Sequence, residues 1–64
     1  MNTPTQTFKN QLSHVKNYCY VMTESEHLKE IVMAEEAVSI DPFNEGNFSR
    51  LVCLKLAYFD FYCK

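Results

Sequence analysis

Residues 47–63 read NFSRLVCLKLAYFDFYC, and the part from Leu51 to Cys63 is the most apolar of the chain. Arg50, Lys55 and Asp60 are the only charged residues of this segment. At helical spacing, one apolar face comprises Phe48, Leu51, Val52, Leu56, Phe59 and Tyr62, and a second comprises Leu54, Ala57, Tyr58 and Phe61. A helix that is apolar nearly all round is normally buried nearly all round. Because two other helices cannot cover both faces, we predict that one face of this helix is left for a partner.

A first helix is predicted over residues 4–22. Thr3 is a good N-cap, Pro4 suits the first helical position, and Gln6 stands three residues after the cap. Apolar side chains then recur at steps of four and three, which is typical of one face of a helix: Phe8, Leu12, Val15, Cys19 and Met22.

A second helix is predicted over residues 24–40. Thr23 and Glu26 have the spacing of a capping box. The buried stripe of this helix is predicted to be Leu28, Ile31, Ala34 and Val38. Pro42 ends the helix, because the residue before a proline is disfavoured in the α region. Asn47 is the predicted cap of the third helix, residues 47–63.

These elements predict an all-α, three-helix protein forming a single domain over residues 1–64. The turn between helices one and two is very short, so the sequence predicts an antiparallel hairpin, with the apolar third helix added to it. A domain of 64 residues buries only about 60% of the surface that its unfolded chain exposes, and is marginally stable. Small scaffolds therefore need a staple such as a second subunit, and we expect a dimer.

The segment spanning residues 34–51 resembles the junction between two tetratricopeptide repeats. In that family a helix ends in small residues, an Asp-Pro-x-Asn turn follows, and the next helix opens with an aromatic residue and a leucine. Ala37, Pro42, Phe48 and Leu51 occupy those places here. Val52 departs from the pattern, since the family prefers a small residue there. The resemblance implies a helix–turn–helix junction and a protein-binding role, although the chain holds fewer than two repeats.

The charge distribution argues against nucleic acid as a direct partner. Residues 24–45 carry seven acidic side chains against one lysine, a net charge of −6, and the rest of the chain carries +4. The acidic middle would repel phosphate, and Lys9 and Lys16 are too few to form a basic face. No membrane association is predicted either, because Lys55 and Asp60 interrupt the most apolar stretch.

The three cysteines, Cys19, Cys53 and Cys63, form neither a C-x-x-C pair nor an even-numbered disulfide framework, and no secretory signal precedes them. We expect them to be reduced thiols of a cytoplasmic protein, with two or three of them in the core.

No catalytic residue, cofactor or metal ligand is predicted. Glu24 and His27 have the E-x-x-H spacing of di-iron bundles, so a dimeric metal-binding bundle is one alternative function. The simpler interpretation is a capped helix start with a solvated His27. His14 lies among polar positions with no cysteine three or four residues on, and we expect it to be solvated as well. The chain is therefore not expected to be an enzyme.

The sequence favours a protein-binding module, acting as a regulator, inhibitor, adaptor or small chaperone. Nine aromatic residues exceed what so small a core absorbs, and aromatic side chains are enriched at interface hot spots. The predicted partner-binding residues are Leu54, Tyr58, Phe61 and Tyr62, with Tyr58 and Phe61 near the two-fold axis of a homodimer. The alternative is an acidic mimic of nucleic acid, inhibiting a defence or transcription protein through Glu30, Glu35 and Glu36.

Overall fold

The computed structural model describes residues 4–63, with side chains from Gln6 onward. Three helices follow one another along the chain: α1 (Pro4–Tyr20), α2 (Glu24–Ile40) and α3 (Glu45–Tyr62). No strand and no cis peptide bond occurs within these residues. The all-α prediction is therefore confirmed for the described part of the chain. The predicted N-cap, Thr3, lies outside the described residues.

The start of α2 follows the sequence prediction. The hydroxyl of Thr23 accepts a hydrogen bond from the Glu26 amide at 3.2 Å, and the Glu26 carboxylate accepts one from the Thr23 amide at 3.0 Å. This reciprocal pair satisfies two amides that a helix start otherwise leaves unpaired. The backbone hydrogen bond from Thr23 holds the pKa of the Glu26 carboxyl below its usual value. The capping box is therefore confirmed.

Two helix ends differ from the prediction. α1 stops at Tyr20, and the Met22 amide instead closes a turn on the Cys19 carbonyl at 3.0 Å. α3 begins at Glu45 because Asn44, and not Asn47, is its N-cap: the Asn44 side chain accepts from the Asn47 amide at 3.0 Å. Both asparagines are good capping residues, and the cap is the one that lies directly after the turn that ends α2.

Helix α3 lies between the other two helices. Both α1 and α2 pack along it, whereas α1 and α2 contact each other little within the described residues. The predicted α1–α2 hairpin is therefore not confirmed, because each of these helices directs its apolar face at α3. The molecule is flattened, with extents of 34 × 28 × 18 Å.

The core is built largely from small side chains. Its buried apolar residues are Val15, Cys19, Ile31, Ala34, Cys53, Leu54 and Ala57. Partly buried side chains at its edge are Phe8, Leu12, Met22, Leu51, Tyr58 and Phe61. Small residues on α3 allow the backbones of α1 and α2 to approach closely. With α1 and α2 packed on the side of α3 that carries Cys53, Leu54 and Ala57, the opposite side of α3 is left exposed.

No helix within residues 4–63 combines the length and the apolar character needed to cross a bilayer.

Candidate functional site

The uncovered side of α3 carries a continuous row of apolar side chains. It consists of Phe48, Val52, Leu56, Phe59 and Cys63, spaced by four, four, three and four residues, and we refer to it as the outer stripe. Phe48, Leu56 and Phe59 are 57%, 41% and 56% exposed. Val52 is half-buried and Cys63 is exposed. Phe48, Leu56 and Phe59 are thus large apolar side chains in contact with water. The stripe is therefore the principal exposed apolar surface of α3.

Three of the four predicted partner-binding residues, Leu54, Tyr58 and Phe61, lie on the other side of the helix, and Tyr62 borders the stripe. Leu54 is fully buried in the core, so its prediction as a partner contact is wrong. Tyr58 and Phe61 are half-buried at the edge of the core, and Tyr62 is 38% exposed. The side of α3 that we predicted to be left for a partner is thus largely packed into the core, and the other side is exposed. The side of α3 with Cys53, Leu54 and Ala57 packs into the core, and the side with Phe48 and Phe59 is left outside.

His27 is the largest departure from the sequence prediction. It is fully buried, and not solvated as expected. Its Nε2 atom lies 2.9 Å from the Leu54 carbonyl oxygen. Because a carbonyl can only accept, Nε2 carries the hydrogen and Nδ1 is left with a lone pair. Among the described residues no group donates to Nδ1, so one buried nitrogen remains unsatisfied by protein.

Aromatic rings surround this imidazole. The ring centroids of Tyr58, Tyr62 and Phe61 lie 5.5, 6.0 and 6.2 Å from that of His27, each in an edge-to-face arrangement. Tyr58 also donates from its hydroxyl to the Glu24 carboxylate at 3.2 Å. Three of the four residues that we predicted to bind a partner are thus engaged in packing around His27.

Helical spacing is compatible with the burial of His27 but does not single it out. The buried residues of α2 are His27, Ile31 and Ala34, at steps of four and three. Leu28, which we had assigned to the buried stripe, is 43% exposed. His27 and Leu28 both fit the periodicity, so the spacing does not decide which of them is buried. The capacity of Nε2 to donate to a carbonyl of α3 is the signal that was missed.

Glu30, Glu35 and Glu36, the residues predicted for an acidic mimic of nucleic acid, do not lie on one face of α2. Glu30 pairs with Arg50 at 3.9 Å, and Glu35 pairs with Lys55 at 3.9 Å. Glu36 is exposed and follows Glu35 directly, so it points about 100° away from it around the helix. Glu30 also accepts from the Tyr18 hydroxyl at 3.2 Å, which raises the pKa of that phenol. Two of the three charges are therefore partly neutralised by cations of α3.

The cysteines divide into two kinds. Cys19 and Cys53 are fully buried, and burial raises the pKa of both thiols. A thiol with a raised pKa forms little thiolate near neutral pH, and the thiolate is the nucleophile. Cys63 is exposed at the end of α3, so it is not part of the core.

The predicted alternative of a metal-binding bundle requires a cluster of ligand side chains, and the described part of the chain contains none. Within residues 4–63, no group of three or more His, Cys, Asp or Glu side chains converges on a point that could hold an ion. Glu24 and His27 both face α3, but Glu24 accepts from Tyr58 and His27 contacts the Leu54 carbonyl. The other histidine of the sequence, His14, is exposed as expected.

Comparison with known proteins found no relative. No family model matches the chain, and no match was found among the curated proteins or the solved structures. The likeness of residues 34–51 to a tetratricopeptide-repeat junction therefore stays a prediction.

Proposed function

We propose that this chain is a non-catalytic protein-binding module, and that the outer stripe of α3 is its binding surface. The observation that carries the proposal is the exposure of Phe48, Leu56 and Phe59 in one row. Taking about 200 Å² for a phenylalanine side chain, each of the two rings leaves about 110 Å² of apolar surface in water. The whole stripe leaves about 400 Å², which lies within the range of the largest apolar patch on a typical soluble monomer, and such a patch is often functional.

The border of the stripe suits an interface. Lys55 lies along one edge and Asp60 along the other, with side chains that are 48% and 53% exposed. An apolar centre with a charged, solvated rim is the usual composition of a protein–protein interface. Burial of the two half-exposed rings alone contributes about 5 kcal/mol at ~25 cal/mol per Å², before the costs of association are subtracted.

The non-catalytic part of the proposal is supported by the state of the nucleophilic and basic side chains. Cys19 and Cys53 are buried with raised pKa values, and His27 is enclosed by rings. His14 is exposed on α1, and nothing in the sequence organises it with a nucleophile. A regulator, inhibitor, adaptor or small chaperone in the cytoplasm is the class of protein that fits such a module.

The proposal is tested by position-specific photo-crosslinking in cells that produce the protein. The photoreactive analogue p-benzoylphenylalanine replaces Phe59 in one variant and Phe43 in another. Phe43 is the matched control, because it is 94% exposed but lies in the turn before α3. We expect one or a few discrete protein adducts from position 59 and none from position 43.

Equal labelling at the two positions, or no protein adduct from position 59, would refute the proposal. The mass of an adduct also identifies the kind of partner: twice the mass of the chain indicates a second copy, and any other discrete mass indicates a different protein.

A further inference from the structure

We propose that the outer stripe binds a second copy of this chain, with the two α3 helices parallel around a two-fold axis and Lys55 of one protomer facing Asp60 of the other. This inference rests on the proposed function and adds the identity and orientation of the partner. It draws on the heptad spacing of the stripe, on the charges along its edges and on the area available.

The stripe has the spacing of a coiled-coil seam. From Val52 to Cys63 its residues are separated by four, three and four positions, the alternation of a heptad repeat. Leu56 and Cys63 then occupy equivalent seam positions, and Val52 and Phe59 occupy the other set. Such a row is fit to pack against an identical row on another helix at a shallow crossing angle.

The charges along the edges favour the parallel orientation. Lys55 precedes a seam residue and Asp60 follows one, so they lie on opposite edges of the stripe. In a parallel pair, opposite edges of the two stripes meet. The residue directly before a seam position on one helix then faces the residue about five positions further along on the partner helix. Lys55 and Asp60 have that separation. In an antiparallel pair like edges meet, which would set lysine against lysine and aspartate against aspartate.

Both side chains already have a partner within the chain, and both retain exposure. Lys55 lies 3.9 Å from Glu35, and Asp60 lies 3.6 Å from Lys16. The parallel dimer would therefore join two ion pairs into a row of alternating charge, running Glu35, Lys55, Asp60 and Lys16 across the boundary between protomers. Charge rows of this kind set orientation more than affinity.

The area predicts a weak dimer. The stripe offers about 400 Å² on each protomer by the ring areas used above. Leu28 and Val32 extend it, because they lie on the same side of α2 as Glu35 and are 43% and 52% exposed. The total of about 550 Å² is below the roughly 800 Å² per partner of a standard interface. We therefore expect a dimer that forms in the micromolar range and dissociates on dilution.

The first test is a sedimentation-equilibrium series with reductant present, at low salt. Lys55→Glu and Asp60→Lys each place like charges across both symmetric contacts. Each variant alone should weaken dimerisation about tenfold, the effect of roughly 1.4 kcal/mol. An equimolar mixture of the two should regain wild-type affinity, because every facing pair is then opposite in sign. The double variant Lys55→Glu, Asp60→Lys should also regain it.

Rescue in the mixture cannot come from the intrachain ion pairs. Mixing leaves the Lys55–Glu35 pair broken in one variant and the Lys16–Asp60 pair broken in the other. Loss in the single variants without rescue would therefore overturn the inference, and so would single variants that dimerise like the wild type. A wild type that stays monomeric at every concentration would refute the second copy as the occupant. The crosslink from position 59 to a different protein would still support the proposed function.

Cys63 provides the second test, because it lies on the seam. In the parallel dimer the two Cys63 side chains lie side by side near the axis. In an antiparallel dimer centred on Leu56 they would be about 20 Å apart, at 1.5 Å of rise per residue. Brief treatment with diamide, which accepts the two electrons of the thiol pair, should give a disulfide-linked dimer that Cys63→Ser abolishes. Dimerisation without this crosslink would overturn the parallel orientation.

Discussion

Replacing His27 by alanine should remove a large part of the stability of this domain, whereas His14→Ala should change it little. The two histidines form a matched pair, since one is fully buried and the other is exposed on α1. A solvated His27, as the sequence predicted, would make the two substitutions equivalent. The comparison therefore tests the central packing arrangement of the fold.

The magnitude follows from what the imidazole contacts. Its hydrogen bond to the Leu54 carbonyl contributes about 0.5–1.5 kcal/mol. Its closest ring contact, with Tyr58 at 5.5 Å, contributes about 0.5–1.5 kcal/mol. A residual cavity of roughly 60 Å³ costs about 1.5 kcal/mol. Removing the unsatisfied Nδ1 atom returns about 1 kcal/mol or somewhat more, so the expected net loss is about 2–3 kcal/mol.

The assay is urea unfolding followed by circular dichroism at the helix band, with both variants and the wild type at one protein concentration. A domain of this size has a total stability of roughly 3–10 kcal/mol, so the loss for His27→Ala should be evident as a lower midpoint. His14→Ala should stay within about 0.5 kcal/mol of the wild type. Equal, small losses for the two variants would show that His27 is not enclosed between α2 and α3, and the reasoning would fail.

Three further predictions follow from the described side chains. In native protein, Ellman's reagent should modify Cys63 rapidly and the two core thiols only on unfolding, because burial shields them and raises their pKa; three rapid thiols would contradict the packing. The Glu26 carboxyl should titrate at lower pH in the native protein than in urea. Its stabilisation of α2 is therefore present above the unfolded pKa and is lost as the pH falls through the lowered native pKa. A carbon-13 NMR titration in which the native and unfolded curves coincide would contradict this prediction. Phe59→Gln should weaken self-association at least tenfold while Phe43→Gln leaves it unchanged, and sedimentation equilibrium that finds the two variants alike would exclude the outer stripe.

The sequence predicts the helices well because their signals are local. The capping box at Thr23 and Glu26 and the apolar period of α1 involve residues within a few turns of one another. Helix starts are set by hydrogen bonds between neighbours, so no knowledge of the tertiary fold is needed. The choice between Asn44 and Asn47 as a cap failed because both fit the local pattern, and only the exact turn after α2 separates them.

Which face of α3 would be buried was not predictable from periodicity. Both faces are apolar, so the hydrophobic pattern does not rank them. The structure buries the face on which Cys53 and Ala57 allow close helix contact, and it leaves out the face with Phe48 and Phe59. Tertiary packing therefore decides between two apolar surfaces that helical spacing does not distinguish. The position of His27 depends on the same choice, since its hydrogen-bond acceptor, the Leu54 carbonyl, belongs to α3.

The size of the chain connects the fold to the proposed binding function. A small domain with a core of mostly small side chains gains limited stability from burial, and two phenylalanines of α3, Phe48 and Phe59, stay more than half exposed. Any partner that covers the outer stripe binds the folded state alone, so it stabilises the fold by mass action, by about 1.4 kcal/mol when its free concentration is roughly ten times the Kd. In the proposed dimer, Lys55 and Asp60 would in addition face their opposites across the axis. Apolar surface that the fold leaves exposed within one chain would then be the means by which association stabilises the fold.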